Sequence, residues 1–416
     1  MREPVSASGV SVGVNSLESW LGSGSGRALP LGVVLGGGPN ALSVARSLGR
    51  RGVPMLLVDG EDGIAGRSRF VRSVVLRGPS QHPGDWIDLL ARVGPQLSKP
   101  AVLIPINDTL TALVARHASE LAGWYRFLLP STQTVEAIVD KGSQYRQAQA
   151  AGVPIPHSKF PETHDDAVRV AACMTYPCVI KPHRSLPGRA VIEHKRKLLV
   201  VDNPADLVSA FDRYATPDNP FLVQELIPGP DTSLFFYLGF WDEVGREHCW
   251  MTAQKLRQYP ARIGDGSLVR SVHLFEVAEL SRRLLRAFAY RGLVNIEFKR
   301  DARDGTLRLI EINPRTAGFN QLAISAGIDF PWVSYQCLTG DRPAPVAEFR
   351  DGLKYIDEAR EIRALLAGRR SGDLTFRSWA SSLVGTRAWA VASLSDPWPL
   401  IFQARQRITA RASRAG

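Results

Sequence analysis

The chain has 416 residues, 44% of them hydrophobic and 22% charged, an ordinary globular composition that is too long for one core. No apolar run reaches membrane-spanning length, and residues 1–30, rich in Gly and Ser, lack an apolar signal core and read as a flexible leader. The net charge of +11 is spread along the chain without a nucleic-acid-binding motif, and the four cysteines show no C-x-x-C spacing and no paired histidines, so neither a zinc site nor a disulfide framework is indicated and a reducing cytoplasm is the expected compartment.

Leu31–Leu35 reads as a buried strand, Gly36–Asn40 as a turn, Ala41–Arg51 as a helix and Val53–Val58 as the next strand, ending at Asp59. Ala101–Ile106 and a helix from Asp108 to about Ala122 repeat the plan, so a parallel sheet with helices on its faces is expected. The glycine turn lacks the third Gly of a G-x-G-x-x-G fingerprint, since Ala41 or Leu42 stands there. A nucleotide-cofactor oxidoreductase therefore competes with a structural Rossmann-like sheet or a substrate site. Asn107 and Asp108 end a strand, where ligands collect in such sheets.

Lys141 opens a helix that runs to about Ala151, and a further helix spans Asp165–Met174. The strand Pro177–Pro182 carries Lys181 near its end, and a charge on an apolar strand needs a partner. Phe221–Ile227 is a strand leading into the turn Pro228–Asp231. Thr232–Phe240 and Glu247–Gln254 alternate like antiparallel strands, Lys255–Pro260 follows, and Glu276–Tyr290 is a helix.

Val294–Lys299 and Leu307–Ile312 form two arms around the turn Asp301–Gly305. Folding back about Arg303 and Asp304 brings Glu297 opposite or diagonal to Glu311, with Asn313 on the same face by the two-residue period. Two carboxylates and an amide oxygen form an all-oxygen set suited to Mg²⁺, which takes few protein carboxylates and fills its octahedron with water and phosphate oxygens. Arg315 follows as a cation for a phosphate or carboxylate. Acids on a wet hairpin face are common, but Glu311 interrupts an apolar arm and Asn-Pro-Arg breaks the strand at once. Tyr355–Leu366 and, less clearly, Thr375–Leu383 read as helices. Arg405, Arg407, Arg411 and Arg414 follow Asp396 without an acid, as either a solvated end or a basic tail in weak contact with a membrane surface.

Lys141, Lys181, Glu225, Lys255, Glu297 and Glu311-x-Asn313, in that order, resemble the ATP-grasp superfamily, in particular its carboxylate–amine ligase branch (D-aspartate ligase-like; more distantly biotin carboxylase and carbamoyl-phosphate synthase). The blocks VQELIPGPD, AQKLRQYPARIGDGS, VNIEFKRDARDG and LIEINPR carry the resemblance, which spans about Leu31 to Asp341. It implies an α/β and α+β architecture: a Rossmann-like pre-ATP-grasp parallel-sheet domain at 31–135, an ATP-grasp domain at 136–341 with a lid at about 155–225, and a mainly helical extension at 342–416. It implies ATP and Mg²⁺ as cofactors, Mn²⁺ being the alternative ion. Lys141 and Lys181 would hold ATP phosphates; Gln224, Glu225, Leu226, Ile227 and Asp231 the adenine and ribose; Glu297, Glu311 and Asn313 the metal. Arg315, Lys255 and Arg257 would steady the transferred phosphoryl group or the substrate carboxylate.

The activity implied is acyl-phosphate formation from a small-molecule carboxylate, followed by attack of an amine. Kinase-type phosphoryl transfer and a non-catalytic ATP-binding module remain alternatives, and a homodimer is an open assembly. One departure is the lid loop HRSLPGRAVIEHK, which has a single glycine, Gly188, and a further phosphate candidate in Lys195.

Overall fold

Three apolar strands, Val33–Leu35, Leu56–Val58 and Val102–Ile104, are buried throughout, as strands covered by helices on both faces must be. In the computed structural model, which describes residues 10–11, 17, 20, 28–76, 82–183, 198–216, 220–385 and 387–415, they lie in a six-stranded sheet. Its strands are β1 (Val10–Ser11), β2 (Gly32–Leu35), β3 (Met55–Asp59), β4 (Arg72–Leu76), β5 (Ala101–Pro105) and β6 (Tyr125–Arg126), in the spatial order β1-β4-β3-β2-β5-β6. All neighbours are parallel except β1, which adds antiparallel to β4. Part of the leader is thus docked on the sheet, and Leu17 is buried; most of residues 1–30 lie outside the described residues.

The glycine turn leads into the helix Gly38–Gly49. Gly36 and Gly38 have φ of 102° and 75°, the left-handed region where a side chain is strained. A Cβ at Gly37 would fall 1.9 Å from Asp59 Oδ2, so the carboxylate packs directly against the turn. The helix expected from Asp108 to Ala122 breaks at His117 into Asp108–Arg116 and Ala118–Leu121.

A second, antiparallel sheet contains β7 (Ser158–Lys159), β8 (Cys178–Pro182), β9 (Leu199–Val201) and β10 (Phe221–Glu225), in the order β7-β10-β8-β9. Ala167, Ile180, Leu207, Phe211 and Val223 give it a core separate from the other two sheets. The lid loop with Gly188 and Lys195 lies outside the described residues.

The third sheet has seven strands: β11 (Leu234–Trp241), β12 (Glu247–Tyr259), β13 (Asp265–Ser271), β14 (Gly292–Arg300), β15 (Leu307–Asn313), β16 (Lys354–Ile356) and β17 (Arg387–Trp389). Their order is β15-β14-β11-β12-β13-β16-β17. Two expectations change here. The strand expected over Glu247–Gln254 runs on through Lys255 to Tyr259. Tyr355 lies in a strand, and the helix begins only at Glu358, because the Asp357 side chain caps it by accepting from the Arg360 amide. The extension beyond residue 342 therefore lengthens the large sheet by two strands as well as adding helices.

The end of the chain is fastened to the first sheet. Asp396, fully buried, accepts from Arg46 Nε at 3.0 Å, Ser68 Oγ at 2.7 Å and the Arg69 amide at 2.9 Å, and Arg46 also donates to the Val391 carbonyl. Removing one partner leaves a buried charge, at a cost of about 3–5 kcal/mol. Asp396→Ala should lower the denaturant midpoint accordingly in equilibrium unfolding, and an unchanged midpoint would show that the contact does not hold the tail.

Candidate active site

The β14–β15 hairpin places Glu297 directly across from Glu311 and Asn295 across from Asn313. A bulge makes this pairing possible. Leu307 and Leu309 are buried on the core side, and strict alternation would send Glu311 after them. The register slips between Glu297 and Phe298, leaving Ile310 as the extra residue, so Glu311 turns to the face of Glu297.

Glu297, Glu311 and Asn313 are each held by a cation of the chain. Lys141 Nζ lies 2.8 Å from Glu311 Oε1, Lys255 Nζ 2.8 Å from Glu297 Oε1, and Arg315 NH2 3.0 Å from Asn313 Oδ1. Lys141 and Lys255 are both buried and have little water to turn to. Burial alone would raise the Glu311 pKa, but Lys141, with Lys181 and Arg315 behind it, holds it down to about 2. Lys255 Nζ also sits 5.3 Å from the centre of the Phe236 ring, on the strand beside Glu297.

Lys181 finds neutral partners, donating to Gln224 Oε1 at 2.9 Å and Tyr145 Oη at 3.1 Å. Arg315 Nε donates to Asp108 Oδ1 at 3.0 Å, which ties the hairpin's end to the first sheet, where a ligand face was expected. Asp231 accepts from Gln258 Nε2 at 2.6 Å, and Gln258 Oε1 in turn accepts from Lys255 Nζ at 3.2 Å. Among the described residues, a hydrogen-bonded chain thus runs from Asp231 to Glu297.

Two expected residues face elsewhere. Glu225 accepts from the His157 amide and from Arg303 NH2, both at 2.8 Å, so its carboxylate braces β10 against the hairpin turn instead of standing open to a base or ribose. Leu226 and Ile227 follow it at the strand's end, Ile227 buried and the Leu226 amide donating to the Pro177 carbonyl. Arg257 departs from Lys255 because register shifts flank it on β12 and break the alternation. Its guanidinium pairs with Glu361, a buried acid that also accepts from Ser267 Oγ and Trp379 Nε1, and it donates to Ser382 Oγ at 2.8 Å. The extension has captured it.

Tyr145 and Asn295 were missed from sequence. Tyr145 supports Lys181 from the helix Lys141–Ala150, one turn after Lys141. Asn295, two residues before Glu297, is buried with its Oδ1 lacking a partner among the described residues, and the two-residue period was the signal for it. No group of three or more His, Cys, Asp or Glu placed to hold a metal ion by themselves occurs among the described residues. Two carboxylates and an amide suit Mg²⁺, whose other ligands are water and phosphate.

The three sheets with this hairpin have an ATP-grasp fold. Residues 219–360 match the family model described as ATP-grasp in the biosynthetic pathway with Ter operon. The chain is similar to the D-aspartate ligase of Enterococcus faecium (strain Aus0004), 22% identical over 344 residues that cover 79% of this chain and 80% of that one. It also matches the arginine-specific large chain of carbamoyl phosphate synthase from Bacillus subtilis (strain 168), 22% identical over 50% of this chain, and spans about a fifth (19%) of that protein's length. Among solved structures, the biotin carboxylase domain dimer of Hydrogenobacter thermophilus 2-oxoglutarate carboxylase, in complex with MgADP, ADP and bicarbonate, superposes with a TM-score of 0.58 at 15% identity, covering 77% of this chain and 73% of that one.

Proposed function

We propose that the protein is an ATP- and Mg²⁺-dependent ligase that activates a carboxylate as an acyl phosphate for attack by an amine. The observation that carries this reading is the trio Glu297, Glu311 and Asn313, each donor faced by a cation. Glu297, Glu311 and Asn313 would hold Mg²⁺ or Mn²⁺, which supplies charge neutralisation across the phosphate oxygens. Lys141 and Lys181 would take the phosphates, with Lys141 leaving Glu311 as its charge is claimed by the nucleotide. Gln224 to Ile227 would line the base and Asp231 the ribose, with Glu225 acting through Arg303. Arg315 and Lys255 would face the phosphoryl group and the substrate carboxylate. Arg257, bound to Glu361, would support β12 from behind. A site closed by the second sheet would keep water from the acyl phosphate.

The D-aspartate ligase similarity supports an amino acid as one substrate. Segments 31–135, 136–341 and 342–416 would act as sheet domain, ATP-grasp domain and extension. No helix among the described residues is long and apolar enough to cross a membrane, and the four cysteines are free thiols, which fits a reducing cytoplasm. A homodimer is the assembly proposed, by analogy with the biotin carboxylase neighbour. Incubation with ATP, Mg²⁺ and a panel of amino acids paired as acid and amine should release ADP and phosphate with an amide product. A stable phosphorylated product would point to a kinase, and nucleotide binding without turnover on any pair to a binding module.

A further inference from the structure

The loop before the C-terminal helix Trp398–Ala415 presents a leucine entirely to solvent. Leu394 is fully exposed, whereas its neighbourhood is firmly held: Arg50 donates to the hydroxyls of both Ser393 and Ser395, and Asp396 is locked into the Arg46 cluster. A rigid, exposed leucine keeps a hydration cost that folding has not relieved. Trp398, Leu400 and Ile401 are also exposed in the next turns. Cations ring this stretch. Arg67, which also pairs with the exposed Asp62, stacks on Phe402 with 4.4 Å to the ring centre, Arg69 and Arg50 lie over Phe70, and Arg405 is exposed. Beyond Asp396 the sequence carries no acid at all, only Arg405, Arg407, Arg411 and Arg414.

An apolar tip of Leu and Trp with a rim of arginines matches an anionic bilayer surface, where the tryptophan ring settles at headgroup depth and arginines meet phosphate. We propose that this end of the chain docks the protein peripherally on a membrane rich in anionic lipid, through Leu394, Trp398 and Ile401 with Arg405 alongside. The contact is reversible and does not span the bilayer. It is anchored beside the first sheet through Arg46 and Ser68.

Flotation of the full chain with two vesicle types tests it: phosphatidylcholine alone, and phosphatidylcholine mixed with phosphatidylglycerol. Binding is expected only to the mixed vesicles, and should fade at high salt. Leu394→Asp should weaken it by about tenfold or more, the value of burying one leucine, and Arg405→Ala by about fivefold. Val244→Asp, at an exposed valine in the β11–β12 hairpin, should leave it unchanged. Absence of binding to mixed vesicles, or equal binding by Leu394→Asp, overturns the proposal. So does self-association abolished by Leu394→Asp without any vesicle binding, which would make the patch an interface between two copies.

Discussion

Glu311→Gln should lower kcat by about a hundredfold or more, because it would remove a charged donor to the proposed metal while keeping the shape of the side chain. Gln is the informative substitution. Lys141 is buried and its ion-pair partner is Glu311, so Glu311→Ala would strand a buried ammonium and cost about 3–5 kcal/mol, mixing loss of function with loss of fold. A Gln carbonyl still accepts from Lys141 Nζ. The pair has a pH signature too. The Glu311 pKa falls from 4.5 to about 2 in the fold, so its contribution is fully present above about pH 4.5 and disappears as pH drops towards 2. Unfolding midpoints of wild type and Glu311→Gln should converge through that window. Wild-type turnover in Glu311→Gln would remove the metal assignment.

Lys255→Met should change metal binding in the opposite sense from activity. In the wild type all three donors are held by Lys141, Lys255 and Arg315, so a bare divalent ion must displace chain cations at every ligand. With the metal–nucleotide complex of the proposed reaction, the same cations would find phosphate oxygens. Wild-type protein is therefore expected to bind Mn²⁺ weakly alone and tightly with a nucleotide. Removing Lys255 leaves the Glu297 carboxylate uncompensated and strengthens binding of Mn²⁺ alone by about tenfold to a hundredfold, for an interaction of about 1–3 kcal/mol between charges a few ångströms apart. The variant should melt earlier than wild type without metal and recover with Mn²⁺ alone. Equal Mn²⁺ binding by the two proteins, measured by calorimetry without nucleotide, would show that the lysine does not guard the site. Catalysis should fall in the same variant, because Lys255 would no longer meet the phosphoryl group.

Local periodicity and turn chemistry made the hairpin legible. Asp301–Gly305 marks a reversal that brings Glu297 near Glu311, and a two-residue period puts Asn313 on the face of Glu311. The parallel sheet from Leu31 onward was readable for the same reason, as short apolar strands alternating with helices. Lys181 was recognisable because charge on a buried strand demands a partner, and Tyr145 and Gln224 supply it. What sequence left as opposite or diagonal, tertiary structure resolved through the bulge at Ile310, which depends on how two strands share register and leaves no local signature. Partner choice was equally hidden. Arg257 and Glu225 look as available as Lys255, but Glu361 lies 104 residues beyond Arg257, and Arg303 lies 78 beyond Glu225. Side-chain pairing over such separations follows from the packing of whole elements, whereas strand faces and turns follow from neighbouring residues alone. The sequence by itself therefore determined which residue types line the hairpin, and the assembled sheets decided which of them share one face and which brace the fold.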